Sequence, residues 1–436
     1  MKRQHTLLTL AVLFFGLCMH LSSCAQEPSP RIEVALPADN AVLQGVTDVR
    51  ITLADVPAEN LGTTRAFVSL GGPPWVEMKR EGEGNTWAVQ LDTTAYPNGA
   101  AKMLFMAWGP KTKRLGMTAP VTIHNGLQCY FADLHSHTSY SDGTLYPADA
   151  HRYARETAKL DVFVLTDHLE VVDDAEWAEM REQAWKANDE GRFVSFPGLE
   201  WTKPYGHANI YDPSGRKFPN DFEGMWQAAA DSGAIVTINH PFYPDPIDGV
   251  NPWNNLAYSE LADSVVELME VRSPKEEEAY IQALRAGWHL AAEGSSDTHS
   301  PNWGNAGTWT GILAPSLTRR CIWDALRNRQ VFSSKDRNCR LFLWVNGAPM
   351  GAIVETPAAA VAVTVDVADP DAAESIAKIE LYEDGTVVAT DEPKAAARRW
   401  ETTRTPAAGK HFYFVRITQA DGNMMWSAPV WVTVGG

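Results

Sequence analysis

Short apolar runs that end in His, Asp or Glu constrain this chain more than any other feature. Asp161-Val162-Phe163-Val164-Leu165, Phe193-Val194-Ser195-Phe196, Ala234-Ile235-Val236-Thr237-Ile238 and Val265-Val266-Glu267-Leu268-Met269 have the length and branching of buried strands. Helical stretches alternate with them at Pro147–Lys159, Asp174–Glu190, Glu223–Ser232, Glu277–Ala286 and Arg319–Asn328. Such alternation predicts an α/β segment with parallel pairing, as an open sheet or a barrel. In both architectures functional groups gather at the carboxyl ends of the strands.

Those ends carry the chemistry. Asp133-Leu134-His135-Ser136-His137 places His at i and i+2, on one face of a strand, so both imidazoles reach one metal. Asp142 follows in Ser141-Asp142-Gly143, and His168 closes Thr166-Asp167-His168. Glu200 closes Gly198-Leu199-Glu200, His207 opens His207-Ala208-Asn209, and His240 sits in Asn239-His240-Pro241. Asp297 and His299 close Ser295-Ser296-Asp297-Thr298-His299. These six His, two Asp and one Glu are nitrogen and oxygen donors without a thiolate, a set suited to Zn, Mn or Fe. They exceed one tetrahedral site and divide among three divalent ions, leaving positions for water and substrate.

The motifs from Asp133 to His299 resemble the PHP (polymerase and histidinol phosphatase) superfamily, and with the flanking β segments they resemble its CehA/McbA-type metallohydrolase branch. The resemblance implies a distorted (β/α)7 barrel with a trinuclear site. It implies His135, His137, Glu200 and Asp297 around one ion, and Glu200 shared with His207 and His240 around a second. Asp142, His168 and His299 would hold the third. The implied activity is phosphoester hydrolysis by a metal-activated hydroxide, with diesters ahead of monoesters. The alternative within the branch is hydrolysis of carbamate, aryl ester or amide bonds; a non-enzymatic surface binding module is a third reading.

Other candidates surround this set. Asp297 and His299 are candidate proton donors to the leaving group. Arg272 follows the strand ending Met269-Glu270-Val271 and is a candidate for bidentate phosphate contact, with pairing to Glu276-Glu277-Glu278 as the other reading. Lys203, Tyr243 and Asn302 follow ligand motifs and are candidate substrate-binding residues. Asp167 is either the orienter of His168 or a structural carboxylate. His151, inside a helical stretch, is expected to face solvent.

The flanks read differently. Val49–Leu53, Ala66–Leu70 and Thr86–Leu91 alternate with period two, and Gly71-Gly72-Pro73-Pro74 punctuates them. From Cys339 the strand pattern returns at Leu341–Val345, Val361–Val367, Ile379–Tyr382, His411–Ile417 and Val430–Val434. The expected layout is an Ig-like β-sandwich over 31–126, the metallohydrolase barrel over 127–336 and a second β-sandwich over 338–436.

Lys2 and Arg3 precede an apolar run, Leu7 to Leu21, which is shorter than the ~20 residues of a membrane span and fits a signal peptide. Leu21-Ser22-Ser23-Cys24 resembles a bacterial lipobox, which makes 1–24 a lipoprotein signal. It implies a chain tethered to the cell envelope through lipidated Cys24, on the periplasmic side or at the outer membrane. Cys129, Cys321 and Cys339 match no zinc or redox spacing and are expected to be buried or free thiols, with a Cys321–Cys339 bridge left open. With 54 acidic against 37 basic residues the net charge is −17, which argues against duplex nucleic acid as the main partner. A small anionic phosphoester at a positive metal cluster stays compatible with that charge.

Overall fold

The computed structural model describes residues 29–93, 96, 99–123, 125–242, 252–357, 360–371 and 373–435. The leader with Cys24, together with His124 and Tyr243, lies outside them. The chain divides into two compact units. One comprises the residues up to Ala38 with Asp48–Val89 and Met103–Ala119; the other comprises Asp39–Thr47, Gln90–Lys102 and Pro120–Gly436.

The first unit is built from alternating strands. In Val46–Ala54, Val49, Ile51 and Leu53 are buried while Arg50 is exposed. Arg65–Leu70 pairs antiparallel with the strand containing Met103 to Trp108, which sets Ala66, Val68, Phe105 and Ala107 in the core. Period-two burial of this kind gives one apolar and one wet face.

The second unit contains nine strands in one curled sheet. These are β1 (Gln128–Asp133), β2 (Val162–Leu165), β3 (Val194–Lys203), β4 (Gly206–Tyr211) and β5 (Ile235–Ile238), then β6 (Val266–Glu270), β7 (Ala291–Glu293), β8 (Trp309–Ala314) and β9 (Val331–Ser334). Their order is β7-β6-β5-β4-β3-β2-β1-β8-β9. The connecting helices are α1 (Pro147–Glu156), α2 (Asp174–Ala187), α3 (Phe222–Ser232), α4 (Glu260–Asp263), α5 (Pro274–Ala286) and α6 (Arg319–Arg327). Capping explains several helix starts. Asp173 accepts from the amides of Ala175 and Glu176 while Glu176 reaches back to the Asp173 amide, and Ser273 and Thr318 cap α5 and α6.

β1, β2 and β3 pair in parallel, as do β5, β6 and β7. β4 breaks the expected alternation, because β3 turns back at Pro204-Tyr205 and β4 runs antiparallel to both neighbours. The two residues between paired Lys203 and Gly206 are a tight hairpin, where a parallel crossover needs a dozen residues or more. β2 and β5 are buried at every position, so their sequences read as continuous apolar runs. Phe163 and Leu165 pack with Ala150, Ala154 and Met180 of the helices, whereas Val162 and Val164 pack with Val194, Phe196 and Ile322. Each such side chain contributes roughly 1.5–3 kcal/mol on burial.

The sheet curls until its ends meet through side chains. The Thr310 hydroxyl of β8 donates to Glu293 of β7 at 2.9 Å, and the Ser333 hydroxyl of β9 donates to the Val271 carbonyl beyond β6. At the far edge β9 pairs with Met424–Ser427, which pairs with Gly409–Gln419, so the sheet continues into the C-terminal strands. A separate sheet contains Arg340–Val345, Val361–Ala368 and Ala397–Arg404. Buried Glu277 of α5 fastens the helix to the C-terminal strands: it accepts from Arg416 at 2.9 Å, Trp426 Nε1 at 2.6 Å and the Tyr382 hydroxyl at 3.0 Å.

One expectation changes here and one is met. His151 is buried, not solvent-facing, because α1 turns it inward against Ser195 of β3 and the edge of the Phe163 ring. Cys129, Cys321 and Cys339 are free thiols, and no Cys321–Cys339 bridge forms.

Candidate metal centre

All nine donor residues come together at one mouth of the curled sheet. Asp142, His168, Glu200, His207, His240, Asp297 and His299 line a cavity of about 410 Å³, with Arg272 on its wall. His135 and His137 are fully buried at its floor. Backbone contacts beyond the strand ends register them. The Asp297 amide donates to the His135 carbonyl, the His137 amide donates to Thr298, and the Thr166 amide donates to Ser136. An isolated parallel bridge joins His168 to Glu200.

Four of the six imidazoles hold Nδ1 against a neighbour, while His207 turns its Nδ1 towards Glu200. His135 Nδ1 lies 2.7 Å from Glu270 Oε1, His137 Nδ1 3.3 Å from the Ser141 hydroxyl, and His299 Nδ1 3.0 Å from the Asp297 carbonyl. His168 Nδ1 lies 2.7 Å from the Thr202 hydroxyl. An acceptor at Nδ1 fixes that proton and leaves the Nε2 lone pair for a cation. The Nε2 atoms do converge. His135 Nε2 and His137 Nε2 are 3.1 Å apart, and they lie 3.3 and 3.2 Å from Asp297 Oδ1. Corners of a tetrahedron about 3.3 Å apart lie about 2.0 Å from its centre, the length of a Zn–N bond. These three atoms therefore have the spacing of one face of a tetrahedral site, and Glu200 is 3.5 Å from each ring.

Two further groups share the cavity. Glu200 Oε1 lies 3.3 Å from His207 Nδ1 and 3.5 Å from His240 Nε2. Asp142 Oδ1 lies 3.1 Å from His299 Nε2 and 3.4 Å from His168 Nε2. His137 Nδ1 is farther from Asp142, at 3.9 Å, and faces Ser141. His137 thus belongs with His135 and Asp297. The donor types and spacing suit divalent transition ions in all three groups.

Electrostatics follow from this crowding. Burial works against charge on His135, but Asp297, Glu200 and Glu270 overcome it and raise the ring well above its ordinary range. Burial opposes charge on Asp297 and Glu200 too, yet the neighbouring imidazoles hold both carboxyls below the usual carboxylate range. Burial, with the Glu270 charge adding, pushes Glu293 up to about 8. Asp297 at φ +52° and His240 at φ +22° stand in backbone conformations that non-glycine residues seldom adopt, as groups held for function often do. Two glycines in the motifs are steric requirements. A Cβ on Gly143 would lie 2.7 Å from the His137 backbone, and one on Gly198 would lie 2.8 Å from the Val164 side chain.

The outer candidates fare differently. Arg272 pairs with Glu270 at 3.3 Å and with Glu276 at 3.4 Å, the pairing the sequence offered for it, and it also lines the cavity. Lys203 is not at the cavity; it pairs with Glu170 and lies over the Trp201 ring. Asn302 is a brace, accepting from the Thr298 hydroxyl, and it does not line the cavity. Asp167 does not touch His168. It accepts from the Thr138 amide and hydroxyl and from Ser141, and so holds the loop that faces His137.

Several site residues escape a reading of the sequence. Glu270 contacts His135 and accepts from the His240 amide at 2.6 Å. Asp133 accepts from the Ser296 amide and hydroxyl and from the Gly304 amide, which pins the loop before Asp297. Asn239 Nδ2 donates to Glu200 at 2.9 Å. The available signal was a carboxylate at the end of an apolar strand, Leu268-Met269-Glu270.

No family model matches the chain, and no curated protein matches it. Among solved structures it is similar to a two-domain protein from Bacteroides vulgatus described as containing a predicted PHP-like metal-dependent phosphoesterase. Identity is 17%, the match covers 70% of this chain and 96% of that one, and the TM-score is 0.41. It is also similar to a polysaccharide deacetylase, BC0361 from Bacillus cereus, at 10% identity over 60% of this chain and 88% of that one, with a TM-score of 0.23. At these scores the case for the site rests on its own distances.

Proposed function

We propose that the chain is a metal-dependent phosphoesterase of the PHP superfamily, in its CehA/McbA-type branch, that prefers phosphodiesters and uses three divalent ions. The observation that carries this reading is the convergence of six imidazoles and three carboxylates on one cavity. The (β/α)7 description and the flanking sandwiches belong to the same proposal, as does tethering at the cell envelope through Cys24.

Divalent ions held there supply Lewis acidity and a water acidic enough to ionise near neutral pH. The three carboxylates of Asp142, Glu200 and Asp297 only partly offset three such ions, so the cavity is positive and suits an anionic substrate. Glu200 lies within 3.5 Å of imidazoles in both the His135 group and the His207–His240 group and would be a donor to an ion held in either. Arg272, fixed between two carboxylates, presents its remaining N–H groups to a phosphoryl oxygen. His299 is the most exposed of the donor imidazoles, at 38%, and stands beside Asp142 where a leaving group departs to solvent. A second reading, hydrolysis of neutral ester or carbamate carbonyls, is favoured by the double pairing of Arg272, which leaves anion recognition to the metals.

The test is turnover of bis-p-nitrophenyl phosphate, p-nitrophenyl phosphate and a naphthyl ester by protein loaded separately with Mn, Zn and Fe(II). Diester turnover exceeding the others by about tenfold, a transition-state preference of ~1.4 kcal/mol, is expected. His135→Ala with His137→Ala should abolish it and release metal. Ester turnover with inert phosphates moves the protein to the carbonyl class. Silence on all three substrates, or full turnover in the double variant, overturns the proposal.

A further inference from the structure

One arc of the mouth carries cations that its carboxylates do not balance. It lies where β6 and β9 leave the sheet. The Ser333 hydroxyl of β9 donates to the Val271 carbonyl, so Arg272 and Lys335 emerge on the two sides of that contact. Trp309 pairs with Ser334 and Thr310 with Ala132, which puts the exit of β9 at the same end of the sheet as the donor residues. Arg272 lines the cavity. Lys275, in the first turn of α5, holds its ammonium over the Phe242 ring, 4.9 Å from the centroid. Phe242 follows the donor His240 by two residues, so Lys275 also stands at the mouth.

The carboxylates of this arc are engaged elsewhere. Glu270 and Glu276 both pair with Arg272, at 3.3 and 3.4 Å. Among the described residues Lys335 Nζ has one partner, the buried Thr308 hydroxyl at 3.1 Å, and the Lys275 ammonium has the Phe242 ring. Neither lysine forms an ion pair among those residues, exposed Glu278 of the same helix included. Lys335 is half-buried. Burial and the like charge of Arg272 act against its ammonium, and the charge of Glu276 offsets them only in part. An ammonium has three donors, so Thr308 leaves two of them for another acceptor. In a chain of net charge −17 carboxylates are plentiful, yet both lysines beside the cavity are left without one. A partly desolvated cation in that state is stabilised by an incoming anion.

We propose, on the phosphoesterase reading above, that Lys335 and Lys275 on either side of Arg272 form a subsite for a second anionic group of the substrate, phosphoryl or carboxylate, and so select phosphodiesters that carry such a group. The imidazole and carboxylate groups of the cavity serve the scissile phosphoryl, and Arg272 borders both regions. The two ammoniums are compact charges on flexible stems, which receive an anion without the fixed geometry of a guanidinium fork.

The experiment uses the full chain loaded with Mn and three diesters that share one leaving group: butyl, carboxypropyl and phosphonopropyl p-nitrophenyl phosphate. At least one charged tail should raise kcat/KM about tenfold over butyl, with the gain in KM. Which charged tail leads tells phosphoryl from carboxylate. Lys335→Met and Lys275→Met keep the stems and remove the charges, and each should cut that preference about threefold or more. Lys186→Met, which removes a surface charge paired with Glu182 on α2, should leave the preference intact and controls for net charge. Calorimetry with ethanedisulfonate and ethanesulfonate reads the subsite without turnover. Tighter disulfonate binding that is lost in Lys335→Met supports the subsite even where no phosphoester is cleaved, and then only the reaction assignment falls. Diester turnover with no preference for a charged tail overturns the proposal. So does a preference that survives both lysine variants, or equal binding of the two sulfonates.

Discussion

His151 gives a quantitative test of how α1 packs. Its ring is sealed between α1, β2 and β3, with Nδ1 3.2 Å from the Ser195 hydroxyl and no partner for Nε2 among the described residues. Burial alone lowers its pKa from 6.5 to about 3. The sign is fixed by that direction. Below the unfolded value the unfolded chain binds a proton that the folded chain refuses, so stability falls as pH drops from 6.5 towards 3. Linkage puts the loss between about pH 7 and pH 5 at about 2 kcal/mol from this residue. His151→Gln removes the titration while keeping a polar group for Ser195. Urea unfolding of parent and variant, followed by tryptophan fluorescence at both pH values, isolates the contribution as a difference of differences. Metal loss and all other titrations are common to both proteins and cancel. The parent should lose about 2 kcal/mol more than the variant on acidification. Equal losses would show that the ring reaches solvent or finds a proton acceptor, and would refute the packing argument.

Two further outcomes are expected from the metal centre. Glu270→Gln removes the charged acceptor that orients His135 while leaving Arg272 paired with Glu276, and should weaken metal affinity about 10–100-fold in chelator competition; unchanged affinity would mean that His135 is held by its burial alone. Gly143→Ala drives a Cβ into the His137 backbone at 2.7 Å, which cannot yield as a flexible side chain would, and should displace Asp142. Metal analysis should then show about one ion fewer per chain with the other two retained, and a full complement would sink the steric reading.

What the sequence disclosed, and what it hid, follows from the range of each interaction. Most of the nine donors stood out because they follow the carboxyl ends of short strands, which a parallel sheet brings to one edge whatever the connecting helices do; Asp142 in a loop and His207 at the start of β4 stood out by their motifs. The β3–β4 hairpin was hidden inside an expected strand-helix alternation. Its turn is only Pro204-Tyr205, and β4 carries no period-two signature because both of its faces are covered. Glu270 and Asp133 were illegible for a different reason. The contacts that matter most to the site, Glu270 with His135 and Asp133 with Ser296 and Gly304, join residues more than a hundred apart in sequence. Lys203 and Asn302 were misplaced by adjacency, since a residue next to a ligand in a loop or strand often points elsewhere. His151 misled because helix membership does not tell which face a residue takes, and here the face is set by contact with β3.

The continuity of the sheet through β9 makes the β1–β9 segment a poor fragment. A chain stopped where the sequence pattern changes, after the barrel strands, would strip Met424–Ser427 from β9 and leave its amides and carbonyls as an open template for other chains. It would also leave Glu277 in α5 without Arg416, Tyr382 and Trp426, an isolated anion beneath a helix that flanks the site. The C-terminal strands thus complete the hydrogen bonding of β9 and the pairing of Glu277, so substitutions among them act on the same sheet and helix that carry the candidate site.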